Sequence, residues 1–482
     1  MSVADFVVLL PLLMISTTAI VVMIAIAIRR DHKAAFAISL IGVTAALASL
    51  LLAASAAPRQ IATLLILDSY SRLYMAILLG AAAFVFLFGY DYLKRRQERP
   101  EEFYLLVLLA TTGAMVLVVS RNFASFFLGL ELLSVALYSL ISYVRTESSS
   151  IEAGIKYLIL AASSSSILLF GLALIYAESG SMELLQLSAA MTRASGPTNI
   201  FLLTGLMLVL TGVGFKLAVV PFQLWTPDVY EGAPLPVTAF IATVSKAGMF
   251  AFLLRWFHVQ DAGVAGAPGL VLTIIAIASM LTGNLLALAQ TNVKRILAFS
   301  SIAHMGYLLV ALLAGGALGA PAATYYLIAY AATILSAFGL MTVLSGPRLE
   351  AASIDDYRGL FWKRPLVAGA FTTTLLSLAG IPLTAGFLGK FYVITAGASQ
   401  SRWLLLFILV ASSTIGLFYY LRIIVAMYSQ SEGTGLVEEP SRQPLSLPAT
   451  LALTVLTGLI LLLGVYPTPL WNAILAVTHD LG

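Results

Sequence analysis

The sequence predicts an all-α integral membrane protein, and three observations predict it. The chain of 482 residues is 60% hydrophobic and only 10% charged, with a mean hydropathy of +1.00. Apolar stretches of roughly 20 residues, the length a helix needs to cross a bilayer, recur along nearly all of it. These stretches lack the alternation of a membrane β-strand, and backbone groups in lipid must bond within their own segment, so helices are the spanning elements.

Taken in order, about fourteen spans follow. The first three cover 3–28, 34–57 and 71–92. The N-terminal stretch carries Asp5 where a secretory signal carries basic residues, runs apolar to Ile28 and has no small-residue cleavage site behind it. It reads as a span and not as a cleaved signal. Spans at 103–119, 123–143 and 153–177 come next, then a long interrupted one at 200–230 and a continuous one at 235–257. The remainder lie at 270–290, 295–314, 322–345, 366–396 (again interrupted), 402–430 and 447–466.

Loop charge checks this count. Loops after odd-numbered spans hold Arg29, Arg30, Lys33, Lys94, Arg95, Arg96, Arg99, Arg145, Lys294, Arg295, Arg348, Arg358, Lys363, Arg364 and Arg442. The other side holds only Arg59, Arg72, Arg121, Arg193, Arg255 and Arg402. The positive-inside rule places the odd loops in the cytoplasm and both termini outside.

Two spans are too long and too interrupted for simple helices. One contains Gly212-Val-Gly214-Phe-Lys216-Leu-Ala-Val-Val-Pro221, the other Gly380-Ile-Pro382-Leu-Thr-Ala-Gly386-Phe-Leu-Gly389-Lys390. Proline frees the carbonyl four residues earlier and glycine lets the chain unwind. Such backbone is tolerated at membrane depth only where it is buried or lines a polar cavity. Each break falls in the fourth member of a five-span unit. Because five is odd, the two units face opposite ways, giving two inverted five-helix repeats each with a broken helix, and a site at their interface. The expected division is an N-terminal three-helix segment (1–102), a first repeat (103–257), a second, inverted repeat (258–430) and a C-terminal helix and tail (431–482).

Glu131, Lys216, Lys246, His304 and Lys390 lie near the middles of these spans. An ionisable group at that depth is costly and marks an ion or proton pathway. Each also has a purely structural reading. Lys216 and Lys390 flank the breaks and can bond freed carbonyls or complement a helix dipole. Glu131 needs a partner, and Lys216 is the candidate; a buried Glu–Lys pair adds little stability by itself. Lys246 has no acidic neighbour in its own span, and crowded buried amines release protons readily. His304 is either a satisfied core histidine or a relay, and an imidazole titrates near neutrality. Ser300 and Ser301 beside it can carry bridging water. Glu152 and Lys156 form an i,i+4 pair near a span end, Asp228 and Glu231 cap or feed protons, and Ser163 to Ser166 give small-residue helix packing. Arg422 receives no role. Lys, Glu and His all exchange protons, whereas a Na⁺ site wants converging carboxylates and carbonyls, so the set reads as a proton wire in the membrane plane.

Other classes fall away. The chain has no Cys, which removes disulfides and iron–sulfur ligation by this chain, and of His32, His258, His304 and His479 only His304 is at membrane depth, which removes a bis-His haem. A net charge of +4 with the basic residues at helix ends gives no support to nucleic-acid binding.

Four segments carry a family resemblance: Pro227-Asp-Val-Tyr-Glu-Gly-Ala-Pro234, Gln290-Thr-Asn-Val-Lys-Arg-Ile-Leu-Ala-Phe-Ser-Ser-Ile-Ala-His-Met-Gly-Tyr307, Gly380-Ile-Pro-Leu-Thr-Ala-Gly-Phe-Leu-Gly-Lys-Phe-Tyr392 and Glu152-Ala-Gly-Ile-Lys-Tyr157. With them the chain resembles, over essentially its whole length, the antiporter-like membrane subunits of proton-pumping NADH:quinone oxidoreductase (respiratory complex I). Among these it is most similar to the bacterial N-type (subunit N). M-type members carry Glu where Lys390 stands, L-type members extend into a lateral helix with no room after Gly482, and mitochondrial relatives lack the first helices. The resemblance implies the antiporter-like fold and a proton-translocating translocase subunit without a redox centre of its own. In that scheme Glu131 pairs with Lys216, loss of the pairing loosens the proton on Lys216, and the proton passes to Lys246, then by water and His304 to Lys390 and the outer face. No cofactor is expected in this chain; NADH, FMN, iron–sulfur clusters and quinone belong to partner subunits. The expected partners are other membrane subunits, including M-type and K-type neighbours, the lipid bilayer and, indirectly, the peripheral redox arm. The competing reading is a subunit of a multi-subunit Na⁺/H⁺ antiporter, against which Lys390 and Tyr230-Glu-Gly232 argue. A third has the charges serving only to dock helices.

Overall fold

The computed structural model describes residues 2–96, 99–183, 200–258, 266–347, 349–430 and 446–479. Arg193, Arg348 and Arg442 of the loop-charge count, Gly482 and, within 431–482, residues 431–445 and 480–482 lie outside the described residues. Among the described residues, thirteen helices are long and apolar enough to cross a membrane. They are α1 (Val3–Ile28), α2 (His32–Ala54), α3 (Ser69–Arg96), α4 (Glu101–Val119), α5 (Phe123–Ile141), α6 (Ser148–Ser179) and α7 (Ile200–Leu217). A short α8 (Trp225–Gly232) follows the first break. Beyond it come α9 (Leu235–His258), α10 (Gly266–Leu288), α11 (Val293–Ala314) and α12 (Gly316–Leu344). The expected span at 366–396 is two half-helices, α13 (Pro365–Ala379) and α14 (Ala385–Ser399), so it does not count as one long helix. The last two long helices are α15 (Trp403–Tyr428) and α16 (Leu447–Val465). Elements beyond the expected spans include a hairpin of three-residue strands, β1 (Arg59–Ile61) against β2 (Leu65–Leu67), short helical turns at Ile354–Tyr357 and Leu360–Lys363, and a final helix α17 (Thr468–His479).

Local chemistry sets the helix starts. Asp31 accepts from the amides of Lys33 and Ala34 to open α2, and Asn292 from those of Lys294 and Arg295 to open α11, satisfying donors that a first turn leaves free. Small residues set the closest packing. A Cβ on Gly113 of α4 would stand 2.5 Å from the backbone nitrogen of Leu133 in α5, and one on Gly283 of α10 would stand 2.7 Å from that of Ala303 in α11. These two pairs are the first and second helices of the two expected five-span units, and both approach until only hydrogen fits between the backbones.

The helices are not equally enclosed. The apolar stretches of α9 and α11 are 100% buried, against 39% for those of α1, α2, α6 and α15, so the helices carrying Lys246 and His304 are the axis around which the rest assemble. The ion pairs respect the sides given by loop charge. Arg30 meets Glu102, and Lys294 meets Glu350, at the basic end; Arg255 meets Asp68, and Arg59 meets Asp5, at the other. An odd error in the span count would have forced such pairs across the membrane.

Candidate functional site

The first break is closed by an indole. Helix α7 ends at Leu217, Ala218 takes a left-handed φ of +61°, and the Trp225 Nε1–H at the start of α8 donates to the carbonyl of Phe215 at 3.0 Å. Lys216 therefore does not serve the freed carbonyls here. Its buried ammonium turns to α5, donates to Ser134 Oγ at 2.7 Å and stands 5.4 Å from the Tyr157 ring centre and 5.8 Å from that of Phe215. The expected direct pairing with Glu131 is not formed. The hydroxyl one turn along α5 takes the ammonium instead, and the buried Oε1 of Glu131 has no hydrogen-bond partner.

The second break does use its lysine. Gly380, with φ +85°, ends α13; a Cβ there would stand 2.8 Å from Lys390 Cδ, so the bare backbone makes room for that side chain. From α14 the Lys390 ammonium reaches back to the terminal carbonyls of Leu378 (3.0 Å) and Ala379 (2.8 Å) and to Ser413 Oγ (2.7 Å) of α15. This is the structural reading of that lysine made concrete: a cation on the carbonyl end of a half-helix, where free C=O groups and the dipole favour positive charge.

Lys246 begins the turn after a π-helical segment, Ile241–Ser245, within α9. It is wholly buried and, among the described residues, has no carboxylate partner; its ammonium donates to Ser301 Oγ of α11 at 2.6 Å and lies 5.6 Å from the Tyr230 ring centre. Ser301 Oγ is 2.6 Å from the Tyr330 hydroxyl and 3.3 Å from that of Tyr230. One turn further along α11, His304 Nδ1 is 2.5 Å from the Tyr326 hydroxyl, and Nε2 is 3.4 Å from Tyr420, which also bonds Ser300.

A small cavity of about 10 Å³, the room one water needs, is lined by His304, Tyr326, Tyr330, Thr333, Ser377 and Leu378, together with Ala329 and Gly386. It opens between the hydroxyls that meet Lys246 and the Leu378 residue whose carbonyl holds Lys390. Hydroxyls and a two-nitrogen ring both donate and accept, so every polar group on this route can take a proton on one side and give one on the other. The structure thus brings Lys246, His304 and Lys390 into one system. Lys216 and Ser134 stand apart from it: among the described residues no side-chain hydrogen bond runs from them towards Lys246.

Sequence reasoning missed Ser134, Tyr230, Tyr326, Tyr330 and Tyr420. Tyrosines in apolar helices carry no spacing signal, and their placement around α11 is set by tertiary packing. It also missed the buried Asp68–Arg255 pair (2.7 and 2.9 Å) that fastens α3 to the end of α9, and the contacts of Glu350 with Lys294 (2.6 Å) and Tyr92 (2.5 Å). The Glu152–Lys156 pair forms at 2.7 Å, and Lys156 and Arg295 both hold Asp228. Arg422 bonds the carbonyls of Leu288 and Gln290 beyond the end of α10. No group of three or more His, Asp or Glu among the described residues is placed to hold a metal ion.

Three comparisons bear on this arrangement. The family described as NADH:quinone oxidoreductase/Mrp antiporter, TM, matches residues 120–416. The chain is 46% identical over 476 residues to NADH-quinone oxidoreductase subunit N of Ectopseudomonas mendocina (strain ymp), covering 96% of this chain and 94% of that one. Among solved structures it is similar to a chain of respiratory complex I from Thermus thermophilus with bound aureothin (32% identity, TM-score 0.81, 96% of this chain and 99% of that one). It is also similar to a chain of an archaeal respiratory membrane complex, the membrane-bound sulfane sulfur reductase (25%, TM-score 0.85, 99% and 98%). The Mrp complex from Dietzia sp. DQ12-45-1b shares the fold (21%, TM-score 0.86, 100% and 98%).

Proposed function

The chain belongs to the NADH:quinone oxidoreductase/Mrp antiporter membrane family, and from that premise we propose that it is the N-type proton-translocating membrane subunit of an NADH:quinone oxidoreductase. The observation that carries the proposal is the contact series Lys246–Ser301–Tyr330, the cavity shared by Tyr330 and His304, and Lys390 bonded to the carbonyl of Leu378, a residue of that cavity's lining. In this reading Glu131 and Lys216 receive the proton, Lys246 passes it to the Ser301 and Tyr330 hydroxyls, water in the cavity and His304 carry it on, and Lys390 delivers it to the opposite face. Electron transfer from NADH through FMN and iron–sulfur clusters to quinone belongs to partner subunits, and the M-type and K-type chains are the proposed membrane neighbours.

The proposed orientation puts the basic loops in the cytoplasm and both termini in the periplasm of a bacterial inner membrane. The proposed internal architecture is two five-helix units of opposite direction. It is supported by the recurrence of one pattern: an ionisable residue in the second helix (Glu131, His304) and a lysine at the break of the fourth (Lys216, Lys390). The ion-gradient-driven antiporter alternative draws on the family description, which covers both classes, and on the shared fold of the Mrp complex, whereas the 46% identical relative is an NADH-quinone oxidoreductase subunit.

The test is to purify the tagged chain from its own membrane and reconstitute what comes with it. The proposal expects a flavin- and iron–sulfur-bearing arm, and proton uptake when that arm oxidises NADH. Recovery with small membrane subunits alone, and proton movement driven only by a Na⁺ gradient, would overturn it.

A further inference from the structure

Ser134 has no place in the relay read from the sequence, yet it holds the ammonium that the relay starts from. Its side chain is fully buried, donates back to the carbonyl of Leu130 at 2.6 Å and accepts from Lys216 Nζ at 2.7 Å. Glu131 stands three residues earlier on the same helix, where side chains at this spacing are neighbours. Its Oε1 is enclosed and unpartnered, an expensive condition for a carboxyl group with a lysine so close. Lys216 hangs from the last turn of a helix that ends one residue later, and its ammonium stands over the rings of Tyr157 and Phe215, neither of which carries a charge that would fix it. The ammonium can therefore swing along α5 while its root stays fixed.

We propose that Ser134 is the second seat of the Lys216 ammonium, so that Lys216 alternates between the Ser134 hydroxyl and the Glu131 carboxyl, and the structure shows it on the hydroxyl. The serine does what neither an apolar residue nor a second carboxylate could do. It accepts a hydrogen bond from the ammonium, which keeps the off-carboxyl position occupied, and it adds no charge that would trap the lysine there. Its own proton is already given to Leu130, so the hydroxyl is turned with its lone pairs towards the lysine. Ser134 is on this account a positioning residue for Lys216.

The inference rests on the reading of Lys216 as part of the proton path, and one set of variants separates the two. Proton uptake per electron is measured in vesicles holding the intact complex, with complex abundance alongside, for Ser134→Ala, Ser134→Thr, Glu131→Gln, Lys216→Ala and the Ser134→Ala/Glu131→Gln double variant. Loss of a hydrogen bond to a charged group shifts seat occupancy by about tenfold or more, so Ser134→Ala is expected to bring uptake per electron down towards the level of Lys216→Ala. Ser134→Thr restores it. The double variant is no lower than the lower single one, because both residues serve one ammonium. Wild-type uptake in Ser134→Ala, or losses that multiply in the double variant, would overturn the second seat. Wild-type uptake in Lys216→Ala would overturn the underlying path instead. Where Ser134→Ala lowers abundance, Ser134→Cys, close in volume and a poor acceptor, carries the same comparison.

Discussion

Gly380→Ala is the substitution whose consequence follows most directly from the geometry at the second break. Gly380 has φ +85°, a left-handed conformation that costs an L-residue about 1–2 kcal/mol. The new Cβ would also stand 2.8 Å from Lys390 Cδ and 3.0 Å from Nζ, so the end of that side chain must give way. It can do so only by stretching its bonds to Leu378 and Ala379, each of a kind worth about 1.5–3 kcal/mol when intact. Gly369, inside the same half-helix, is the matched control: nothing lies within 4 Å of its Cβ position, and alanine there gains about 0.5–1 kcal/mol of helix stability. The two alanines thus differ by about 1.5–3 kcal/mol from backbone effects alone. The assays are thermal stability of the tagged complex in detergent and donor-driven proton uptake per electron. Gly369→Ala is expected at or above wild type in both, and Gly380→Ala below it in both. Equal behaviour of the two variants would refute the claim that bare backbone at Gly380 sets the seat of Lys390.

The remaining predictions concern α9 and its neighbours. Ser301→Ala removes the acceptor of Lys246 and its link to Tyr330, and is expected to lower uptake per electron while donor oxidation continues, with Ser301→Thr near wild type; a parallel measurement of the two rates checks it. Asp68→Asn leaves the buried Arg255 guanidinium without its counter-charge and is expected to cost about 3–5 kcal/mol, read as an earlier thermal transition of the complex. Burial draws the Asp68 carboxyl upwards, but the Arg255 charge and hydrogen bonds from Arg255 and Ser71 outweigh it and hold the group below the usual carboxylate range. A folded-state value below the unfolded one gives stability that is complete above the unfolded value and lost as pH falls through the folded one. The stability gap between wild type and Asp68→Asn is therefore full at neutral pH and closes only below about pH 4.

What the sequence disclosed, and what it withheld, follows from the range of the interactions involved. The spans were legible because lipid demands long unbroken apolar runs, and the breaks because Gly and Pro act on backbone within a few residues. The charged residues stood out because nothing else in such runs is ionisable. The β1–β2 hairpin escaped notice because three-residue strands are too short to show alternation, and nothing in Ile-Ala-Thr-Val-Ser announces a π-turn before Lys246. Residue partners were the least legible. Lys216 and Glu131 were expected to meet, and the structure puts Ser134 on the ammonium, since which of two neighbouring groups on α5 a long side chain reaches is decided by packing. Lys390 was expected to bond freed carbonyls, and it does. Tyr326, Tyr330 and Tyr420 around His304 come from two other helices, α12 and α15, and leave no trace in the local sequence of α11.

The central claim is that Lys246, buried without a counter-charge between α9 and α11, is part of a proton path coupled to a redox reaction elsewhere. Carrying one charge against 100 mV costs about 2.3 kcal/mol, so a path member cannot be removed without a visible loss of coupling. The most direct measurement is NADH-driven proton uptake in vesicles carrying Lys246→Ala, with assembled complex and donor oxidation quantified in the same preparation. The account predicts an assembled complex whose uptake per electron falls well below wild type. Normal uptake per electron by a normally assembled complex would contradict it and leave Lys246 a structural residue.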